Sequence, residues 1–150
     1  MYKAQKGFTL IELVVVITIL GILAAFAFPR FAALEVEARV AATEGLAGSI
    51  RAASALAHSL SIVKGLAPAV AVDMEGVSVT MADRYPAALA AGITAALQDI
   101  TGFGIPVYTA GPDVATYNTD GGTAGNCTVV YAEPVAAGDA PIITVDVTAC

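Results

Sequence analysis

The stretch from Leu13 to Phe28 holds no charged residue, and Glu12 stands immediately before it. Extended back to Phe8, the segment is 21 residues long. As a helix it spans about 31 Å, close to the hydrocarbon thickness of a bilayer. A run of this kind needs a membrane or the dry interior of an assembly. Lys3 and Lys6 lie just ahead of it, an asymmetry that fits the cytoplasmic, positive end of a membrane helix. Glu12 is the exception within the segment. An ionised carboxylate in hydrocarbon costs on the order of 3 kcal/mol unless compensated, so Glu12 needs either the headgroup region or a partner.

A cleavable secretory signal has a shorter apolar region of about 7 to 15 residues followed by a small-residue cleavage site. Here helical character continues past Pro29. Phe31, Leu34, Ala38, Ala41 or Ala42, Gly45, Ser49, Ala52 or Ala53, Leu56 and Leu60 recur at three- and four-residue steps. We expect one helix from about Phe8 to Val63, with the apolar run as its first half. Pro29 removes a backbone donor and crowds the carbonyl of Ala25. With Gly21 it marks a weak stretch that either bends harmlessly in an anchor or loosens when packed among copies.

The chain has 150 residues, which excludes a multidomain enzyme. Apolar residues make up 57% of it and charged residues only 13%, and the apolar run supplies much of this imbalance. Seven basic residues face 13 acidic ones, a net charge of −6. No basic footprint exists for phosphate neutralisation, so no nucleic-acid partner is expected. The two cysteines, Cys127 and Cys150, form one disulfide if the body is exported, or remain free thiols in a reducing compartment.

Gly65 and Pro68 end the long helix. Val70, Val72 and Met74, then Val77, Val79 and Met81, alternate around Glu75-Gly76 and read as a hairpin or the entry into a sheet. Pro86 is placed to start a second helix over Ala87 to Ile100. Thr109 to Gly125 reads as a long surface loop. Two strands follow, around Cys127–Ala132 and Ile143–Thr148, as antiparallel neighbours with one packed face. The fold class is therefore α+β, with the second half of the long helix laid on a small antiparallel sheet.

No catalytic constellation is visible. His58 is the single histidine and has no triad partners, the cysteines are too far apart for a redox pair, and no phosphate loop or dinucleotide fingerprint is present. Neither an enzyme nor a cofactor is expected. Asp113 and Asp120 read as solvated turn carboxylates rather than a calcium site. Asn126-Cys127-Thr128 is a weak match to a glycosylation pattern.

Gly7-Phe8-Thr9-Leu10-Ile11-Glu12-Leu13, then Val14-Val15-Val16-Ile17 and Gly21-Ile22-Leu23-Ala24, resemble the opening of type IV pilins and related pseudopilins, with Lys3 and Lys6 as a short basic leader. The resemblance implies a type IV pilin fold. It divides the chain into a leader (1–7), an apolar transmembrane and filament-core helix (8–30), and an amphipathic helix half with a sheet head domain (31–150). It also implies that a membrane peptidase cuts between Gly7 and Phe8 and methylates the new amine of Phe8. Glu12 would then pair with the amine of a neighbouring Phe8. Gly21 and Pro29 would bound a stretch that loses helical order on assembly, and Cys127 would pair with Cys150. Leu46-Ala47-Gly48-Ser49-Ile50, Arg84-Tyr85-Pro86, Asn126-Cys127-Thr128-Val129 and the final cysteine resemble the mannose-sensitive haemagglutinin class of pilin, although that class often has glycine where this chain has Arg84.

The function so implied is that of a major pilin, a homo-oligomer in a helical filament handled by the prepilin peptidase and assembly machinery. It would sit in the inner membrane first and then in an extracellular filament of a Gram-negative bacterium, serving surface attachment and biofilm formation. Two alternatives are a major pseudopilin of a type II secretion system and a membrane-anchored envelope binding protein. The cluster Phe26, Phe28 and Phe31 is read as filament-core packing rather than as a conductive path.

Overall fold

The computed structural model describes residues 7–111, 113–119, 127–148 and 150. The chain divides into two units, Met1–Glu37 and Ala38–Cys150. Helix α1, Leu10–Val63, contributes residues to both.

In the first unit α1 starts on Thr9. The Thr9 backbone N–H donates to Glu12 Oε2 at 2.8 Å, and the Glu12 N–H donates back to Thr9 Oγ1 at 3.3 Å. This is a reciprocal capping box, so the helix begins two residues after Phe8. Its apolar side chains are exposed from Leu10 to Leu34. The Thr18 hydroxyl donates to the carbonyls of Val14 and Val15, which satisfies a polar group in an otherwise apolar surface. The helix runs through Gly21 and Pro29 without a break.

In the second unit the buried face of α1 is Thr43, Leu46, Ala47, Ile50, Ser54, Ala57 and Ser61. This corrects the expected stripe: Ala41, Ala42, Gly45, Ser49, Ala52 and Leu56 are exposed. Both sets keep helical spacing, because an alanine-rich helix carries more than one apolar stripe. The packed set holds Leu46 and Ile50, the large side chains that fill the seam against the sheet. The helix closes at Gly65, whose φ of +62° ends it. Gly65 N–H donates to the Ile62 carbonyl and Leu66 N–H to the Ser61 carbonyl, the paired bonds of a Schellman motif.

Two short antiparallel pairs follow: β1 (Val72–Met74) with β2 (Val77–Val79), and β3 (Met81–Ala82) with β4 (Tyr85–Pro86). Each turns through two residues of positive φ, Glu75-Gly76 and Asp83-Arg84, the mirror-image turn that matches strand twist. Val72, Val79 and Met81 pack with Ala57 in a small second core.

The helix expected over Ala87–Ile100 is absent, apart from a single irregular turn at Ala90–Thr94. Tertiary bonds override its propensity. Tyr131 donates its hydroxyl to the Pro86 carbonyl at 2.6 Å, and Ala88 N–H donates to the Glu133 carboxylate at 2.7 Å, which hold Pro86 in its strand and Ala88 in a bend. The chain then folds so tightly that a Cβ on Gly92 would lie 2.1 Å from the Ala87 carbonyl oxygen.

The main sheet is a meander in the order β5 (Val107–Thr109), β6 (Val114–Asn118), β7 (Thr128–Ala132), β8 (Ile142–Asp146), all antiparallel. The expected pairing of the last two strands is present, with Val129 opposite Val145. The expected long loop is corrected: Thr109 ends one strand and Val114–Asn118 is an inner strand of the sheet. Ala115 and Tyr117 point inward between Val114, Thr116 and Asn118, an alternation hidden by polar turn-forming residues. The remainder of that stretch, 120–125, lies outside the described residues. Ala115, Tyr117, Val129 and Tyr131 close the core with Leu46, Ala47, Ile50 and Ile93. The result is a long helix whose second half packs on an antiparallel sheet.

Candidate assembly site

Phe8 opens the described apolar surface with 90% of its area exposed. Gly7 and Phe8 precede the helix in extended chain, and residues 1–6 of the expected leader lie outside the described residues. Four positions later Glu12 is exposed and held by Thr9. The Thr9 N–H and hydroxyl both donate to Oε2 at 2.8 Å, while no hydrogen bond among the described residues reaches Oε1. One carboxylate oxygen therefore fixes the helix start, and the other is open to a second group. Sequence reasoning singles out Glu12 but misses Thr9. The signal is there in Thr9-x-x-Glu12, the spacing of a capping box.

From Leu13 to Phe28 the helix presents apolar side chains on every side and is long and apolar enough to cross a membrane. At about 25 cal/mol per Å² this surface represents a large gain for whatever environment covers it. Gly21 is open on all sides, and a Cβ added there would meet nothing within 4 Å. Pro29 leaves the Ala25 carbonyl without its usual intrahelical donor.

In the second unit, Cys127 and Cys150 are joined by a disulfide across a sequence separation of 23. It ties the entry to β7 to the last residue. Arg39 Nη1 donates to the Cys150 carbonyl at 3.0 Å, and the buried Thr43 and Thr119 hydroxyls share a hydrogen bond of 2.7 Å beside the bridge. The α1 seam is thus tied to the disulfide through polar contacts.

His58 stacks on Tyr85 with ring centroids 4.0 Å apart, and its Nδ1 lies 3.0 Å from the Arg84 carbonyl. That is a packing role. Asp113 accepts the Gly111 N–H in a turn, whereas Asp120 and Asn126 lie outside the described residues. No group of three or more potential metal ligands occurs among the described residues. Burial pushes the Glu133 carboxyl above its ordinary range, opposed by the bond from Ala88 N–H. Glu133 shapes the chain before the irregular turn.

Fold and amino-terminal geometry define a pilin-like class of protein, with an apolar helix bearing one glutamate near its start and a helix-on-sheet head. Residues 2–28 match the prokaryotic N-terminal methylation motif. The chain is 52% identical over 52 residues to the "Type IV narrow pilus major component PilA5" of Thermus thermophilus, covering 35% of this chain and 45% of that protein. It is 44% identical over 68 residues to a "Fimbrial protein" of Pseudomonas aeruginosa, covering 44% of each. It is 45% identical over 69 residues to the "Type IV major fimbrial protein FimA" of Dichelobacter nodosus, covering 43% of this chain and 42% of that protein. The matched region spans less than half the length of these relatives. No solved structure gives a significant match. Motif, relatives and fold are each similar to those of the type IV pilin/fimbrial family.

Proposed function

We propose that the chain is the major subunit of a type IV pilus. The observation that carries this reading is the uncovered apolar helix with Glu12 at its start, within the methylation-motif match over residues 2–28. Such a helix is costly in water, and a membrane followed by a helix bundle covers it in turn. Residues 1–7 act as leader, 8–30 as the transmembrane and filament-core helix, and 31–150 as helix half and head. Cleavage between Gly7 and Phe8 creates an amine that is methylated. In the filament the amine of a neighbouring Phe8 pairs with Glu12, using the oxygen that Thr9 leaves open. This offsets part of the cost of burying the carboxylate and fixes the axial register.

Gly21 and Pro29 bound the stretch that loosens on assembly, where a hydrogen bond is already missing. The Cys127–Cys150 bridge suits an oxidising exterior. The filament serves surface attachment and biofilm formation in a Gram-negative bacterium, with the mannose-sensitive haemagglutinin class as the nearest subtype. The test is the intact, non-reduced mass of protein sheared from cells. A mass that begins at Phe8, carries one added methyl and lacks the two hydrogens of a disulfide is expected. A full-length mass, or no such protein in that fraction, sinks the assembled-pilin reading.

A further inference from the structure

The second unit carries a groove of about 840 Å³ between the exposed side of α1, the β1–β2 hairpin and residues 95–99. Its floor is apolar, with Ala52, Ala53, Leu56, Met74, Val77 and Leu97. Its rim holds three carboxylates, Asp73, Glu75 and Asp99. Each is committed through one oxygen: Asp73 Oδ1 to Gly76 N–H, Glu75 Oε2 to the Gln98 amide, and Asp99 Oδ1 to Thr101. Apart from a weaker contact of Asp99 with the Ile100 backbone N–H, no further hydrogen bond reaches these carboxylates, and no cation pairs with any of the three, among the described residues. An occupant of this groove must be apolar, narrow enough to approach an alanine-lined floor, and must carry a positive charge.

The chain itself contains such a segment. Beyond the stretch that loosens on assembly, Arg30 and Leu34 stand at i and i+4 and Phe31 and Leu34 at i and i+3, and so share one helix face. Phe31 is 69% and Leu34 58% exposed. Arg30 has no ion pair among the described residues. We propose that this face, on a second copy of the chain, docks in the groove, with Phe31 and Leu34 over the α1 floor and Arg30 against the rim carboxylates. The inference rests on the filament reading and adds to it a residue-level contact. Charge supports the match. Beyond Phe28 the chain carries five basic and 12 acidic residues, so like-charged heads repel, and a cation set against three carboxylates opposes that repulsion and selects one register.

The test uses full-length chains in filament-producing cells. In filaments built from an Arg30→Lys variant, mixed from normal and nitrogen-15 material, a zero-length carbodiimide should link position 30 to Asp73, Glu75 or Asp99 in mixed-isotope peptides. Arg30→Glu and Asp99→Lys should each lower the yield of sheared filaments about tenfold, and their combination should restore most of it. Membrane-pool amount and an intact disulfide in each variant check that the head still folds. Normal yield from both single variants overturns the proposal. So does a link to a carboxylate off the rim, or the absence of any intermolecular link in filaments that form. If the unaltered chain makes no filaments, the filament reading fails and takes this inference with it. If filaments form without the link, this inference fails alone.

Discussion

Tyr117 and Tyr131 bury large phenols at the centre of the head, each with its hydroxyl given a partner: Thr94 Oγ1 lies 2.7 Å from Tyr117, and Tyr131 reaches the Pro86 carbonyl. Burial pushes the Tyr117 phenol up to about 12 against a partial opposing effect of the Thr94 bond, and burial raises Tyr131 in the same sense. The native state therefore keeps these protons at a pH where the unfolded chain, titrating near 10, has lost them. Stability should be level in this respect below pH 10 and fall as pH rises from 10 towards 12. Urea midpoints between pH 8 and pH 11 check the direction, and Tyr117→Phe should flatten part of the alkaline fall. The same variant should cost about 1 kcal/mol at neutral pH, since it removes one hydrogen bond while Thr94 keeps its bond to Tyr108. At this scale the sequence speaks unevenly. Glu12 stands out because a lone charge in an apolar run is conspicuous, whereas its partner Thr9 passes for one more small residue.

Arg84 occupies φ +71° in the turn joining β3 and β4, where a Cβ is crowded, and only its backbone N–H and carbonyl make the bonds to Pro68 and His58. Arg84→Gly should therefore raise stability by about 0.5–1 kcal/mol in urea unfolding. The disulfide constrains a longer element. Replacing both cysteines with serine should cost about 3 kcal/mol by the loop-entropy argument, read as a lower thermal midpoint without change of fold at low temperature. Elements are legible where local pattern and tertiary demand agree. The long helix, its stop at Gly65 and the pairing of the last two strands all follow from periodicity and turn chemistry. They are illegible where distant partners decide. Nothing local says that Tyr131 and Glu133 will seize Pro86 and Ala88 and stop a helix from starting. Nothing local says which of two apolar stripes on α1 meets the sheet, because that depends on where Leu46 and Ile50 find matching space. Val114–Asn118 escapes notice for another reason: polar turn-formers flank a strand whose inward residues are only Ala115 and Tyr117.

At the scale of the molecule, the unit Ala38–Cys150 owns both hydrophobic clusters and the disulfide, while the large apolar residues described from Phe8 to Val36 are uncovered. A fragment that begins at Ala38 should thus stay folded and monomeric in plain buffer, whereas the full chain should require detergent. Sedimentation with and without detergent checks both halves of that statement. The methylation motif around Gly7 and Phe8 is legible in sequence, and the groove beside β1 and β2 is not, since it exists only once three separated segments meet. The meander adds something about time. Every strand from β5 to β8 pairs with the strand next to it along the chain, so each closes only a short loop before it gains a ladder. The sheet can zip progressively from neighbour to neighbour, and the search for a distant partner is left to α1, whose Leu46 must find Val129 and Tyr131 across the intervening chain. A head with this wiring can acquire its sheet in steps, and the docking of the helix is the contact that closes the longest stretch of chain.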